Sequence, residues 1–379
     1  MIYDRSKTIT ILGCGGFIGS HLLDRILAAT EYRVYGIDLS SIKIKRHLSN
    51  ERFTYVNMSV YDNAGVHQYL EESGIILSLV ALCNPSLYNT IPLDVIESNF
   101  TRPVELVRTC SELDAWLIHF STCEVYGKTI AGIAGTSASE HYLLSEDRSP
   151  MVLGPTAAQR WCYACAKQLL ERVIYAYGLS TGLRYTIVRP FNFIGPRMDY
   201  IPGIDGEGVP RVLACFMESL LFDKVMKLVD SGTNRRCFTF IDDAVDAIMR
   251  ILGRPKHAMG HIFNIGNPDN EITIAGLAEL MVRLYRELRP EHANRTFQIM
   301  EVDSKEFYGD GYEDSDRRVP DITKARKLLD WAPSTSLVDT LRATMNAYIA
   351  EYGNHPPPAS CRVESQSAVP RSSSQSKAG

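Results

Sequence analysis

Short apolar runs rich in β-branched residues recur along the first half of the chain, at 8–12, 33–37, 53–56, 75–81, 116–121 and 184–189. Segments with a helical period separate them, beginning with 21–29. Near-continuous apolar strands alternating with helices predict a parallel sheet covered on both faces. The texture changes after residue 189. Pro190, Pro196, Pro202 and Pro210, with Gly195, Gly203, Gly206 and Gly208, interrupt regular structure and predict loops around a substrate. Helical patterns return at 212–221, 274–289 and 337–352, and strands are expected at 237–241 and 261–265. The stretch 353–379 is rich in Pro and Ser without an apolar period, which predicts a disordered tail. No internal repeat is evident.

Composition narrows the class of protein. The chain has 379 residues, 45% of them hydrophobic, and a net charge of −4, enough to bury a large core in two domains or one large α/β unit. A mildly acidic balance with no basic stripe argues against nucleic acid as a partner. No apolar run approaches the ~18 residues a membrane span needs, so no membrane partner is expected either. The first residues, MIYDRSKTIT, lack a signal-peptide core, and nine cysteines, an odd number, suit a reducing compartment better than a disulfide framework. A cytoplasmic location is therefore expected.

Between the first strand and the first helix lies Gly13-Cys-Gly-Gly16-Phe17-Ile18-Gly19. Gly13 permits a tight turn, Gly16 lets backbone amides approach a pyrophosphate, and Gly19 lets the helix pack close to the sheet, with Phe17 and Ile18 opening the helix toward the phosphates. The second strand ends at Asp38, nineteen residues after Gly19, where a carboxylate can accept hydrogen bonds from an adenosine ribose and repel a 2′-phosphate. NAD is the cofactor this pattern favours over NADP. The nearby Lys43, Lys45 and Arg46 read as a solvated charge run.

Two further segments carry chemistry. One is FSTCEVYG, residues 120–127; the other is Tyr163-Ala-Cys-Ala-Lys167. Tyr163 and Lys167, four residues apart on a helix, share one face. A free phenol has a pKa near ~10, so a neighbouring ammonium and a cationic nicotinamide are needed to make Tyr163 a base. Lys167 is its tuner. Cys162 and Cys165 form a CxxC with no second ligand pair, so no metal is expected, and they read as small packing residues.

On the segments RWCYACAKQLLERVIYAYG, IVRPFNFIGPRMDYIPGIDGEGVPRVLACF, HIFNIGNPDNEITI and KEFYGDGYEDSDRRVPD, the chain resembles the extended short-chain dehydrogenase/reductases that act on nucleotide sugars. Within them it is most similar to UDP-apiose/UDP-xylose synthases and less so to UDP-glucuronate decarboxylases, over roughly residues 7–350. The resemblance implies an α/β fold: a Rossmann doubly wound parallel sheet with a smaller C-terminal substrate-binding domain. The implied division is 1–188 for NAD binding and 189–352 for substrate, with a strand near 237–241 returning to the first domain. It also implies a homodimer.

The implied reaction oxidises C4 of UDP-glucuronate with NAD, giving a β-keto acid that loses CO2. Tyr163 would take the C4 hydroxyl proton, Lys167 would hold phenolate and ribose, and Thr122 would hydrogen-bond the C4 oxygen. Glu124 would handle protons at ring carbons or hydroxyls. Arg318 would pair with the substrate carboxylate or act on C5 after CO2 departs, with Arg317 the alternative one residue out of register. Arg236, Arg211 and Asn192 would contact the nucleotide and diphosphate, and Tyr88 the substrate. Cys123 replaces the serine of the decarboxylase motif STSEVYG, and Cys83, in ALCNPSLYNT beside Tyr88, matches a second cysteine of the synthases. Thiols at both places would shuttle protons while the sugar opens between C2 and C3 and re-closes as a branched furanose. The chain departs from its relatives at 130–145, which is shorter, and at Ser59, where an aspartate is common. The expected activity is conversion of UDP-glucuronate to UDP-apiose with UDP-xylose as co-product. Alternatives are a decarboxylase releasing UDP-xylose or the 4-keto pentose, a 4-epimerase or dehydratase, and a catalytically silent NAD-binding scaffold.

Overall fold

A computed structural model describes residues 4–206, 208–308 and 313–357, so the tail expected at 353–379 lies outside the described residues from 358 onward. Seven strands form one all-parallel sheet. In chain order they are β1 (Thr8–Leu12), β2 (Arg33–Asp38), β3 (Phe53–Asn57), β4 (Ile75–Ser78), β5 (Trp116–Phe120), β6 (Tyr185–Pro190) and β7 (His261–Ile265). Their spatial order is β7-β6-β5-β4-β1-β2-β3. The order reverses between β1 and β4, and in such sheets ligands bind at the crevice beyond the strand ends where this happens. Both β1 and β5 are buried along their whole length, so Thr8, Thr10 and His119 are as enclosed as the apolar residues beside them.

Helices cover both faces. Phe17–Ala29 packs against Ile241–Gly253 on one side, and Arg102–Glu112 against Cys162–Thr181 on the other. The two apolar layers are separate clusters, the first containing Ile11, Leu22, Ile118 and Ile248, the second Leu12, Ile76, Leu117 and Leu170. The chain therefore has the Rossmann-like α/β fold that its strand pattern predicts.

A second, four-stranded sheet lies beside the first, in the order Glu271–Thr273, Arg235–Cys237, Arg317–Pro320, Leu143–Leu144. Arg235 pairs in register with Arg317, and Arg236 with Arg318. Because side chains alternate across a strand, Arg236 and Arg318 share one face and Arg235 and Arg317 the other.

The single strand expected at 237–241 is divided. Arg235–Cys237 belongs to the small sheet, Thr239–Phe240 pairs with Phe193–Ile194, and Ile241 already opens a helix. That helix begins with Asp242 and Asp243, which suit a helix N-terminus, and buries Ile241, Ala244, Val245, Ile248 and Ile251 at helical spacing. The strand that returns to the large sheet is His261–Ile265, hydrogen-bonded to β6 in parallel.

Candidate active site

The turn after β1 is built for a phosphate-bearing ligand. Gly13 has φ +95°, a left-handed conformation that L side chains avoid. A Cβ on Gly19 would lie 2.1 Å from the Gly13 carbonyl oxygen, so only glycine allows the helix Phe17–Ala29 this close to the turn. Its N-cap, Gly16, makes no side-chain capping bond. The helix therefore presents backbone donors and the positive end of its dipole at the strand ends. Asp38, at the end of β2, accepts hydrogen bonds from Gly15 N at 2.9 Å and Ser40 N at 3.0 Å, fixing its carboxylate beside the loop. A glycine cradle, open helix amides and a fixed carboxylate are the donor and acceptor set a dinucleotide needs. Of the basic residues nearby, Arg46 pairs with Asp24 on the surface.

Thr122 follows β5 and caps the short helix Cys123–Tyr126, its Oγ1 accepting from Glu124 N at 3.1 Å. Thr122 also favours ionisation of the Tyr163 phenol, against burial. Tyr163 is 5% exposed and stacked on Tyr88, ring centroids 5.3 Å apart. Burial, then Cys83 and Glu124, push its phenol well above the usual value. Lys167, one turn along, is fully buried and donates to the Phe120 carbonyl at 3.0 Å. Burial pulls its ammonium down to about 8, against the opposing pull of Cys83 and Glu171. Without a further positive charge the phenol stays neutral.

Beside this trio lies a buried cluster of charge. Arg160 holds Glu124 with two bonds, Nη1 to Oε2 at 2.7 Å and Nη2 to Oε1 at 3.1 Å. Arg318 Nη2 reaches Asp314 at 2.7 Å, and its Nη1 lies 3.8 Å from both Glu124 Oε1 and Cys123 Sγ. Arg236 Nη2 joins from the next strand at 2.6 Å from Asp314 Oδ2, and Arg160 Nη2 lies 3.6 Å from the other oxygen. Burial would raise the pKa of Glu124, but Arg160 and Arg318 outweigh it and keep the group ionised. Asp314 is likewise held below the usual range, by Arg236, Arg318 and Arg160 against burial. Three guanidiniums thus share two carboxylates among the described residues, leaving a positive excess suited to an anionic ligand. Burial pushes the Cys123 thiol up, with Arg318 opposing, so at rest it is a thiol.

A cleft of ≈ 740 Å³ runs from this cluster between the two sheets' loops. Its wall includes Cys83, Glu124, Asn192, Arg211, Arg236 and Arg318 among the sequence-predicted residues. Cys83 is exposed there, and desolvation within the cleft pushes its thiol up, with Arg211 and Lys167 opposing. Asn192 adopts φ +41°, a strained conformation for a residue with a Cβ, and its Nδ2 donates to Cys237 O at 2.9 Å. Arg211 is held by Asp199 through Nε at 2.9 Å and Nη2 at 2.8 Å. Tyr88 is 1% exposed, beneath Arg160 and against Tyr163, rather than on the cleft wall.

Strand alternation separates the two arginines that the sequence leaves adjacent. Arg317 turns to Glu271, at 2.6 and 2.8 Å, and lies 3.5 Å above the Tyr142 ring, whereas Arg318 faces the cluster. Cys162 packs with Tyr88, Val95 and Tyr163, whereas Cys165, on the same helix, is exposed and does not serve as a packing residue. No group of side chains able to hold a metal occurs among the described residues. Two residues of the cluster escape the sequence reading. Arg160 stands three before Tyr163, one helical turn away, and Asp314 four before Arg318; those spacings are the signals that could have found them.

The model for the NAD dependent epimerase/dehydratase family matches residues 9–266. Among curated proteins, the chain is 47% identical over 354 residues to UDP-D-apiose/UDP-D-xylose synthase 1 of Arabidopsis thaliana, covering 89% of this chain and 90% of that one. It is 47% identical over 352 residues to UDP-D-apiose/UDP-D-xylose synthase of Oryza sativa subsp. japonica, covering 89% and 88%. Among solved structures, the PbgP3 protein from Burkholderia pseudomallei superimposes with a TM-score of 0.79 at 34% identity, over 92% of this chain and 98% of that one. UDP-glucuronic acid 4-epimerase from Bacillus cereus, in complex with UDP-glucuronic acid and NAD, has the same fold, with a TM-score of 0.75 at 23% identity over 91% and 100%.

Proposed function

Because the chain belongs to the NAD-dependent epimerase/dehydratase family, we propose that it uses NAD to convert UDP-glucuronate to UDP-apiose, with UDP-xylose as co-product. The observation that supports this reading most is the approach of Arg318 to Cys123 and Glu124, 3.8 Å from each, which puts a guanidinium fit for a carboxylate beside a thiol and an ionised carboxylate. Bound NAD supplies the acceptor for a C4 hydride and later its donor. Tyr163 removes the C4 hydroxyl proton, and the Thr122 hydroxyl supports the developing charge on the C4 oxygen. Lys167 favours the phenolate. Arg318 receives the substrate carboxylate and orients it for loss as CO2, the electrons of the broken C5–C6 bond passing into the C4 ketone, which becomes an enolate. Arg236 and Arg211 serve the diphosphate, with Asn192 at its side.

Apiose formation then requires the C2–C3 bond to break by a retro-aldol step and a new carbon–carbon bond to close the branched ring. Each step moves a hydroxyl proton. Cys123 and Cys83 remain thiols at neutral pH, so they can donate a proton and recover it, while ionised Glu124 accepts one. A decarboxylase with serine in place of Cys123 lacks the more acidic donor.

The quaternary and cellular readings are a homodimer in the cytoplasm. Exposed Leu93, Leu169 and Leu179 on neighbouring helices support an apolar interface between copies. All eight cysteines among the described residues are free, in keeping with a reducing compartment. No helix among those residues is long and apolar enough to cross a membrane.

Incubation with UDP-glucuronate and NAD, followed by NMR of the products, tests the activity. A branched pentose or its cyclic phosphate breakdown product is expected; clean UDP-xylose would overturn the apiose reading and leave a decarboxylase.

A further inference from the structure

The segment between Ile194 and the helix Val212–Phe222 holds no helix or strand among its described residues, yet it walls one side of the cleft through Met198, Pro202, Pro210 and Arg211. A stretch without a hydrogen-bonded ladder keeps its place only where other elements grip it. At its start Arg197 donates to Asp24 Oδ2 at 2.7 Å and to the Lys43 carbonyl at 3.2 Å. Its middle is gripped by the helix Leu337–Tyr352, which adds no described residue to the cleft wall. Tyr348 is 3% exposed, and its hydroxyl donates to the Asp199 carbonyl at 3.1 Å and accepts from Asp199 N at 3.3 Å. One turn on, the buried Tyr352 donates to Asp205 Oδ2 at 2.7 Å, while Asp205 Oδ1 accepts from Ile201 N at 2.8 Å. The two rings pack together, their centroids 5.7 Å apart. Phenols at i and i+4 share one face of a helix, so together they fix the backbone from 199 to 205.

Asp199 carries that grip into the cleft. Its carboxylate takes the Nε and Nη2 edge of Arg211, at 2.9 and 2.8 Å, and lies 3.3 Å from Arg211 N. A guanidinium has five N–H donors in a rigid plane, and a carboxylate on that edge uses two of them. The Nη1 donors are left for a ligand. On its other side Arg211 Cζ lies 6.0 Å from the ring centroid of Phe17, at the start of the glycine-turn helix. A free arginine side chain carries about 2 kcal/mol of rotamer entropy, and holding it before the ligand arrives removes that from the cost of binding. We propose that Tyr348 and Tyr352 are positioning residues for Arg211: through Asp199 they hold its guanidinium on the cleft wall with the unused edge toward the substrate's diphosphate. This rests on the reading of Arg211 as a diphosphate contact.

The test compares the affinity of the full chain, in its NAD complex, for UDP by calorimetry and for uridine by ligand-observed NMR. UDP carries the diphosphate and uridine does not. Arg211→Met should weaken UDP by about thirtyfold, the loss of a charged pair, and leave uridine within about twofold. Tyr348→Phe should weaken UDP by about fivefold with uridine again unchanged, and Tyr352→Phe should do the same to a smaller extent, which covers the case in which Tyr348→Phe fails to fold. A general loosening of the cleft would weaken both ligands. In the double variant Arg211→Met/Tyr348→Phe, UDP should bind as it does to Arg211→Met alone, because the hydroxyl has no guanidinium left to place. With UDP-glucuronate, Tyr348→Phe should raise KM by about the same fivefold and keep kcat within about twofold. Unchanged UDP affinity in both tyrosine variants, equal losses for UDP and uridine, or additive losses in the double variant overturn the proposal. If Arg211→Met binds UDP as the wild type does, the diphosphate assignment falls and takes the proposal with it. Failure of the wild type to turn over UDP-glucuronate leaves the UDP titrations intact and overturns the substrate reading instead.

Discussion

Arg318→Met removes the guanidinium assigned to the substrate carboxylate while keeping most of the side chain's volume. Its expected effects on activity and on stability differ in size. In the folded protein Asp314 keeps Arg236 at 2.6 Å, and Glu124 keeps both bonds to Arg160. No buried carboxylate is stranded, so the ~3–5 kcal/mol that follows removal of one partner of a buried pair does not apply in full. The substrate carboxylate, by contrast, loses a paired and largely desolvated donor worth about 3 kcal/mol, close to a hundredfold in affinity. Decarboxylation followed by CO2 release should fall by about 10²-fold in kcat/KM or more, since orientation of the carboxylate is lost as well. Affinity for UDP alone, which has no carboxylate, should change by less than about threefold, and the melting temperature by only a few degrees. Arg317→Met is the control. That side chain lies on the opposite face of its strand against Glu271 and Tyr142, and kcat/KM should stay near the wild-type value. Equal losses in UDP and UDP-glucuronate binding would show that Arg318 acts through the charge of the cluster as a whole. Normal decarboxylation by the variant would refute its role outright.

Replacing Cys123 by Ser should lower the share of apiose while CO2 release continues, read by NMR of the products; an unchanged ratio assigns the thiol to packing. Lys167→Met should abolish turnover yet stabilise the fold at pH 7, because a lysine whose folded pKa is about 8 against an unfolded ~10.4 destabilises by roughly 3 kcal/mol below the lower value. Since the unfolded chain binds the extra proton between those values, wild-type stability should rise with pH through that window and the variant's should not; thermal melts at pH 7 and 10 decide it. Asp38→Ala leaves Gly15 N and Ser40 N without their acceptor and removes the repulsion of a 2′-phosphate, so NAD should bind about tenfold more weakly and NADP no worse, by fluorescence titration. Arg189→Met strands Glu171, now held at 2.6 and 3.0 Å in the core, and should lose about 3–5 kcal/mol in denaturant unfolding; a loss under 1 kcal/mol would mean that Glu171 takes up a proton at little expense.

What the sequence determined by itself is what depends on neighbours along the chain. The turn Gly13–Gly19 is legible because strand, glycines and helix follow one another, and Gly19 is required by the carbonyl of Gly13 only six residues away. Tyr163 and Lys167 lie one turn apart on a helix, so their pairing needs no knowledge of the rest of the molecule. The apolar runs of β1 and β5 likewise announce strands buried on both faces. Resemblance over long ordered motifs reached further, to the family, its cofactor and the sugar chemistry. The fold then decided what depends on partners far apart in sequence. Arg160 meets Glu124 across thirty-six residues, and Arg318 meets Cys123 across 195. No local pattern encodes those separations. The strand near 237–241 read as one because its residues are mostly apolar, yet Cys237 pairs with one sheet, Thr239 and Phe240 with another strand, and Ile241 opens a helix; hydrogen-bond partners set the strand ends. Adjacent Arg317 and Arg318 are equivalent as letters. Pairing with Arg235 and Arg236 fixes the register, and the period of two then turns one guanidinium to Glu271 and the other into the cleft.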